Sequence, residues 1–229
     1  MSNAMAVTLT LPTALRNARA TLPDPDSHRV SYKVDAWRRL FAVDTDLEAL
    51  AARHPNALTR ADVAGMAQSA LHGAAPIRRA FLASMIWGYG TAGYGAFRTA
   101  RMLRTPQALE QLDRAAKATT AGQLGEAVEH LSLHGCGLAF VSKFVYFVGL
   151  ASHQRPLPVI LDARVEATLT ALDVDLTQLA RAQGRHARAP WSLATRRYLT
   201  YVNLVDDWAR QLGCRPDQIE MLLFNGLQP

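Results

Sequence analysis

Apolar residues recur at three- and four-residue intervals along most of this chain, while alternating apolar and polar runs are scarce, so the sequence is confined to an all-α fold. Eleven helices are expected, over about 32–42, 46–54, 60–72, 76–87, 96–104, 106–118, 122–133, 138–150, 163–172, 192–212 and 216–224. Their starts carry signals. Thr45-Asp46-Leu47-Glu48 and Thr120-Ala121-Gly122-Gln123 fit the capping box, in which a hydroxyl and a Glu or Gln side chain satisfy each other's backbone NH groups. Pro106 and Pro216 stand where a first helical position would fall. The apolar run Pro158-Val159-Ile160-Leu161 is too short for a clear strand and leads straight into a helix start.

The first four residues, Met1 to Ala4, read as a tag remnant before a natural start at Met5, and residues 5–30 as an N-terminal arm, weakly periodic and containing Pro and Asp. Residues 31–229 then form the helical domain, for which 49% hydrophobic content supplies an ample core. No stretch approaches the roughly 18 uninterrupted apolar residues of a membrane span, and no secretory signal opens the chain, so a cytoplasmic protein is expected. Cys136 and Cys214 fit neither a disulfide framework nor a metal cluster, and no metal site is expected. A net charge of +6 and a pI near 9.7 suit a polyanionic partner, although codon bias toward arginine gives the same balance. Gln183 to Pro190 is a basic loop, placed either to touch phosphates or to stand solvated.

Chemistry is concentrated at Lys143. It is one of three lysines in a chain with twenty-two arginines, and it interrupts the apolar run Phe140-Val141-Ser142-Lys143-Phe144-Val145-Tyr146-Phe147-Val148. An ammonium buried there is costly and tends to lose its proton, which turns the amine into a nucleophile. Arginine would supply charge alone without that option. Nineteen residues on, Asp162 follows Val159-Ile160-Leu161 and opens a helix from Ala163 to Leu172. Taken singly, Lys143 reads equally as a snorkelling helix-edge lysine and Asp162 as a helix N-cap. An aspartate fixed as a cap is also preorganised for electrostatic work.

Ahead of the lysine, Leu131-Ser132-Leu133-His134-Gly135-Cys136-Gly137 reads as a helix end, a Gly-x-Gly turn and the start of the next helix. Gly135 and Gly137 let the backbone come close to another group, and the following helix N-terminus offers NH groups to phosphate. Together with Lys143, Pro156-Leu157-Pro158 and Leu161-Asp162-Ala163-Arg164-Val165, this stretch resembles the helix-hairpin-helix DNA glycosylases, specifically the compact prokaryotic and archaeal 8-oxoguanine type. The likeness is sharp over about residues 131–170, and Lys143 and Asp162 fall on the family's catalytic lysine and aspartate. In the family the lysine comes two residues after the second hairpin glycine, whereas here Leu138 to Ser142 intervene. The four extra residues are about one helical turn, which keeps the lysine on its face.

The resemblance implies two helical lobes with a DNA cleft between them and a monomer acting on duplex DNA with a damaged base, in base-excision repair. It implies glycosylase and AP lyase activity on oxidised purine, with Lys143 forming a Schiff base, Asp162 stabilising the charged sugar, and no metal or organic cofactor. The flipped base needs a pocket. Trp87-Gly88-Tyr89-Gly90-Thr91-Ala92-Gly93-Tyr94-Gly95-Ala96-Phe97-Arg98 reads as a loop whose Trp87, Tyr89, Tyr94 and Phe97 either wall that pocket or pack structurally. Asp206, Asp207 and Trp208 are the second candidate, with solvent exposure and core burial as their competing reading. Two other functions remain open: a binding member of the same fold that excises nothing, and a Schiff-base lyase for a small carbonyl compound.

Overall fold

The computed structural model describes residues 10–184 and 191–227. The tag-like first residues and residues 185–190 of the basic loop lie outside them. Thirteen α-helices and one two-stranded sheet occupy the described residues, so the all-α expectation holds. The helices are α1 (Thr13–Asn17), α2 (Val34–Arg38), α3 (Thr45–Arg53), α4 (Arg60–Leu71), α5 (Ile77–Tyr89), α6 (Gly95–Leu103) and α7 (Ala108–Thr120). They continue with α8 (Leu124–His130), α9 (Leu138–Ala151), α10 (Ala163–Ala171), α11 (Leu176–Gly184), α12 (Leu193–Leu212) and α13 (Pro216–Phe224). Strands β1 (Arg29–Ser31) and β2 (Ala57–Thr59) pair antiparallel with Val30 opposite Leu58. No helix among the described residues is long and apolar enough to cross a membrane.

The chain divides into two compact units, a larger one of Pro25–Pro158 and a smaller one of Val159–Pro229 together with Met1–Asp24. In the larger unit α9 is the central helix. Its residues from Val141 to Gly149 are all buried, because α4, α5, α7 and α8 pack around it, and that is why its sequence is apolar on every face. Phe81 of α5 meets Phe144 edge to face at 5.6 Å. At Gly149 an added Cβ would fall 2.4 Å from Pro158 Cγ, so only glycine lets the proline in so close.

In the smaller unit the twenty-residue α12 organises the core. The hydroxyls of its Tyr198 and Tyr201, three residues apart and so on one face, donate to the carbonyls of Val159 and Ile160 at 3.0 and 2.9 Å. These bonds hold the buried run that ends in Leu161 and so set the entry to α10. Arg197 pairs with Glu166 of α10 at 2.6 Å, and the Arg164 guanidinium lies 4.3 Å from the Phe224 ring centroid.

Each of the eleven expected helices is present, with some starts displaced. Asp44, not Thr45, caps α3: its Oδ1 accepts from the NH groups of Asp46 and Leu47 at 3.1 and 3.0 Å. Arg78 binds the same carboxylate and fixes it in place. Thr120 ends α7 with its hydroxyl donating to the Lys117 carbonyl at 2.9 Å, and α8 begins after Gln123 with no side-chain cap. Helix α7 begins at Ala108, two residues beyond Pro106, from a left-handed Gln107, whereas Pro216 is the first residue of α13 as expected. A true capping box stands at Thr59 and Asp62.

Candidate active site

Lys143 lies in the second turn of α9, with 6% of its surface exposed. Its Nζ donates to the Ala139 carbonyl one turn back at 3.2 Å and lies 5.5 Å from the Phe140 ring centroid. The aliphatic stem runs over Gly88 of α5, where an added Cβ would stand 2.8 Å from Lys143 Cδ and 3.3 Å from its Cε. Gly88 therefore acts as a slot for the lysine. Phe140 is held in turn by Tyr89, whose ring stacks on it at 4.2 Å and 26°. Burial raises the Tyr89 hydroxyl above its ordinary pKa, with the Arg98 guanidinium acting in the opposite direction.

A turn precedes α9, but α8 stops three residues short of its expected end at residue 133. Helix α8 ends at His130, Gly135 adopts φ +77°, a conformation that favours glycine, and Gly137 is the N-cap of α9 with no side-chain cap bond. A Cβ added to either glycine would meet nothing within 4 Å, so the backbone of the turn is open on that side. The His134 NH donates to Thr105 Oγ1 at 3.0 Å, which ties the turn to the end of α6. Between the glycines, burial pushes the Cys136 thiol up to about 12, so at neutral pH it is not a thiolate.

Asp162 belongs to the smaller unit, where it is half-buried as the N-cap of α10. Both capping bonds, from the NH groups of Arg164 at 3.1 Å and Val165 at 3.3 Å, fall on Oδ1. The cap fixes the carboxylate in place.

The aromatic segment divides in two. Trp87 and Tyr89 are the last turn of α5 rather than a loop, and both are buried. The Trp87 indole NH points to the His28 carbonyl at 3.4 Å, and its ring meets His28 and Phe147 edge to face, each at 5.3 Å. Tyr94 and Phe97 stand at the start of α6 and are 56% and 55% exposed. In the smaller unit Trp208 is fully buried, while Asp206 and Asp207 both pair with Arg210 at 3.2 Å.

Two features escaped sequence reasoning. Arg60, 1% exposed, lies between the rings of Trp87 and Tyr146, at 5.2 and 5.1 Å from their centroids. The function of Gly88 was also hidden, since the group that approaches its backbone is the lysine stem and not a ligand. The Trp-Gly-Tyr spacing was the one signal available for it.

A family model described as "Putative 8-oxoguanine DNA glycosylase OGG-like protein" matches residues 23–224. The chain belongs to this family. No curated protein and no solved structure matches the chain. The family match covers every helix from α2 to α13, and so extends well beyond the stretch around Lys143 and Asp162 that carried the resemblance.

Proposed function

We propose that this OGG-like protein is a bifunctional DNA glycosylase and AP lyase that removes 8-oxoguanine from duplex DNA, with Lys143 as nucleophile and Asp162 as electrostatic stabiliser. One observation carries the reading: the chain encloses a lysine on its central helix, against a phenylalanine ring and over a glycine slot, although arginine is its habitual cation. In this reading the Nζ lone pair attacks the sugar C1′, and the bond from C1′ to the base nitrogen breaks. The base leaves with that electron pair and is protonated. Ring opening at C1′ and loss of a proton from nitrogen give the imine, and removal of a C2′ proton then expels the 3′-phosphate. Asp162 opposes the positive charge that builds on the sugar as the base departs.

Borohydride tests this by reducing the imine to a stable amine. The wild-type chain should become crosslinked to an 8-oxoguanine duplex, and Lys143→Gln should not. Equal crosslinking by both would move the nucleophile to Lys33 or Lys117, the remaining lysines. A wild-type protein that binds the duplex and never crosslinks would be a binding member of the family.

A further inference from the structure

Between Asp62 and Glu110 the sequence contains no acidic residue, yet it carries five arginines. Three of them, Arg98, Arg101 and Arg104, lie on α6 or at its C-cap, and all three are exposed. At about 100° per residue they share with Tyr94 and Phe97 a single sector of about 120°. The opposite side, through Ala96, Thr99, Ala100 and Met102, is buried. Among the described residues none of the three arginines forms an ion pair, whereas Arg78 and Arg79 of the same acid-free stretch are held by Asp44 and Asp46. The Arg98 guanidinium lies 4.6 Å from the Tyr94 ring centroid, which restrains it without neutralising it.

This face is anchored to the candidate site at both ends. Thr105, just past the helix, accepts the NH of His134 in the glycine turn, and Tyr94 meets Tyr89, which stacks on Phe140 beside Lys143. A cationic stripe therefore runs from the lysine to the turn. Its three charges span about 9 Å along the helix, against one phosphate per about 3.4 Å of each DNA strand.

We propose that α6 is a second duplex-binding surface, on which Arg98, Arg101 and Arg104 grip the phosphates of one strand independently of sequence and lesion. The proposal rests on the glycosylase reading, since it needs a duplex at the lysine.

The test is fluorescence anisotropy of the full chain with a labelled undamaged duplex over a series of KCl concentrations, beside borohydride trapping of an 8-oxoguanine duplex by the same protein preparations. Removing one phosphate-binding cation should make the plot of log affinity against log salt shallower by about 0.9, so Arg101→Ala/Arg104→Ala should lower the slope by about 2. The lysine pair at the same positions should keep the wild-type slope. Arg39→Ala/Arg53→Ala, which removes equal charge from exposed positions of the same unit, should leave it unchanged. A wild type that traps lesion DNA, combined with an unchanged slope in the α6 variant, overturns the stripe and leaves the glycosylase reading intact. An equal fall in slope in the Arg39/Arg53 variant would reduce the effect to net charge and also overturn it. A wild type that neither binds nor traps overturns both.

Discussion

Arg60 and Lys143 are both basic, both in the larger unit and both buried among rings, yet their surroundings differ in kind. Arg60 is closed in between Trp87 and Tyr146, and its Nη1 reaches the Tyr146 hydroxyl at 3.4 Å. A delocalised cation that never loses its proton suits such a box, where the ring faces offer steady attraction and nothing needs to react. Around Lys143 stand the Phe140 ring, at 5.5 Å from Nζ, a carbonyl of its own helix and a glycine under its stem. The stem lies close against the Gly88 backbone, where only a glycine leaves it room. Under the proposed function the contrast has a meaning: arginine supplies permanent charge, and the lysine supplies an amine that can react.

The largest effect should come from erasing that difference. Lys143→Arg keeps the charge and removes the nucleophile, so borohydride trapping should vanish completely, as it should with glutamine. Persistent crosslinking would make Lys143 a cation of the Arg60 kind. On the other side, Trp87→Ala opens the box around Arg60 and should cost about 3–5 kcal/mol of stability, the usual scale of a buried Trp truncation, read by chemical denaturation. Below its unfolding transition the variant should still trap DNA. Full stability with abolished trapping would turn Trp87 from core into site.

Asp162→Asn keeps a capping oxygen while removing the charge, so α10 should persist and lesion-DNA affinity should stay near normal. Single-turnover excision should fall by about a hundredfold, the scale of one preorganised electrostatic group. Excision at the wild-type rate would leave Asp162 a cap and nothing more. The smallest effect should follow Gly88→Ala. Its new Cβ meets the flexible stem of Lys143 rather than backbone, so the fold should tolerate it while the amine shifts. Trapping should slow by about tenfold, since small misplacements of a reacting group are costly. An unchanged rate with unchanged melting would show that the slot is not needed to aim the lysine.

The helical framework was legible because its signals are local. Nine consecutive buried residues in α9 leave an apolar run that no surface helix would carry, and a lysine inside it stands out at once. Arg60 was illegible for the opposite reason: it sits in Thr59-Arg60-Ala61-Asp62, which reads as an ordinary helix start, and its rings arrive from positions far along the chain. Three-residue strands are too short to display alternation, so β1 and β2 left no trace. Helix α11 could have been found from Asp175, whose Oδ1 accepts the NH groups of Thr177 and Gln178 at 2.8 and 3.0 Å. The cap of α3 stands one residue before the expected threonine, at Asp44, which Arg78 binds from more than thirty positions away. In the aromatic segment the same alternation of glycine and ring covers a buried helix end and an exposed helix start, and which half turns inward is decided by packing alone.

The smaller unit draws on both ends of the chain: the Pro23 carbonyl accepts from Gln218 Nε2 at 3.0 Å, across almost the full length of the sequence. On the ribosome this imposes an order. Pro25–Pro158 emerges as one uninterrupted stretch, and α4, α5, α7 and α8, which pack around the lysine helix, are all made before it. The segment ending at Asp24, made first, waits for α13, made last, before its own unit can close. Translation therefore supplies the helices around Lys143 before Asp162 acquires the tyrosine anchors of α12 that set its position.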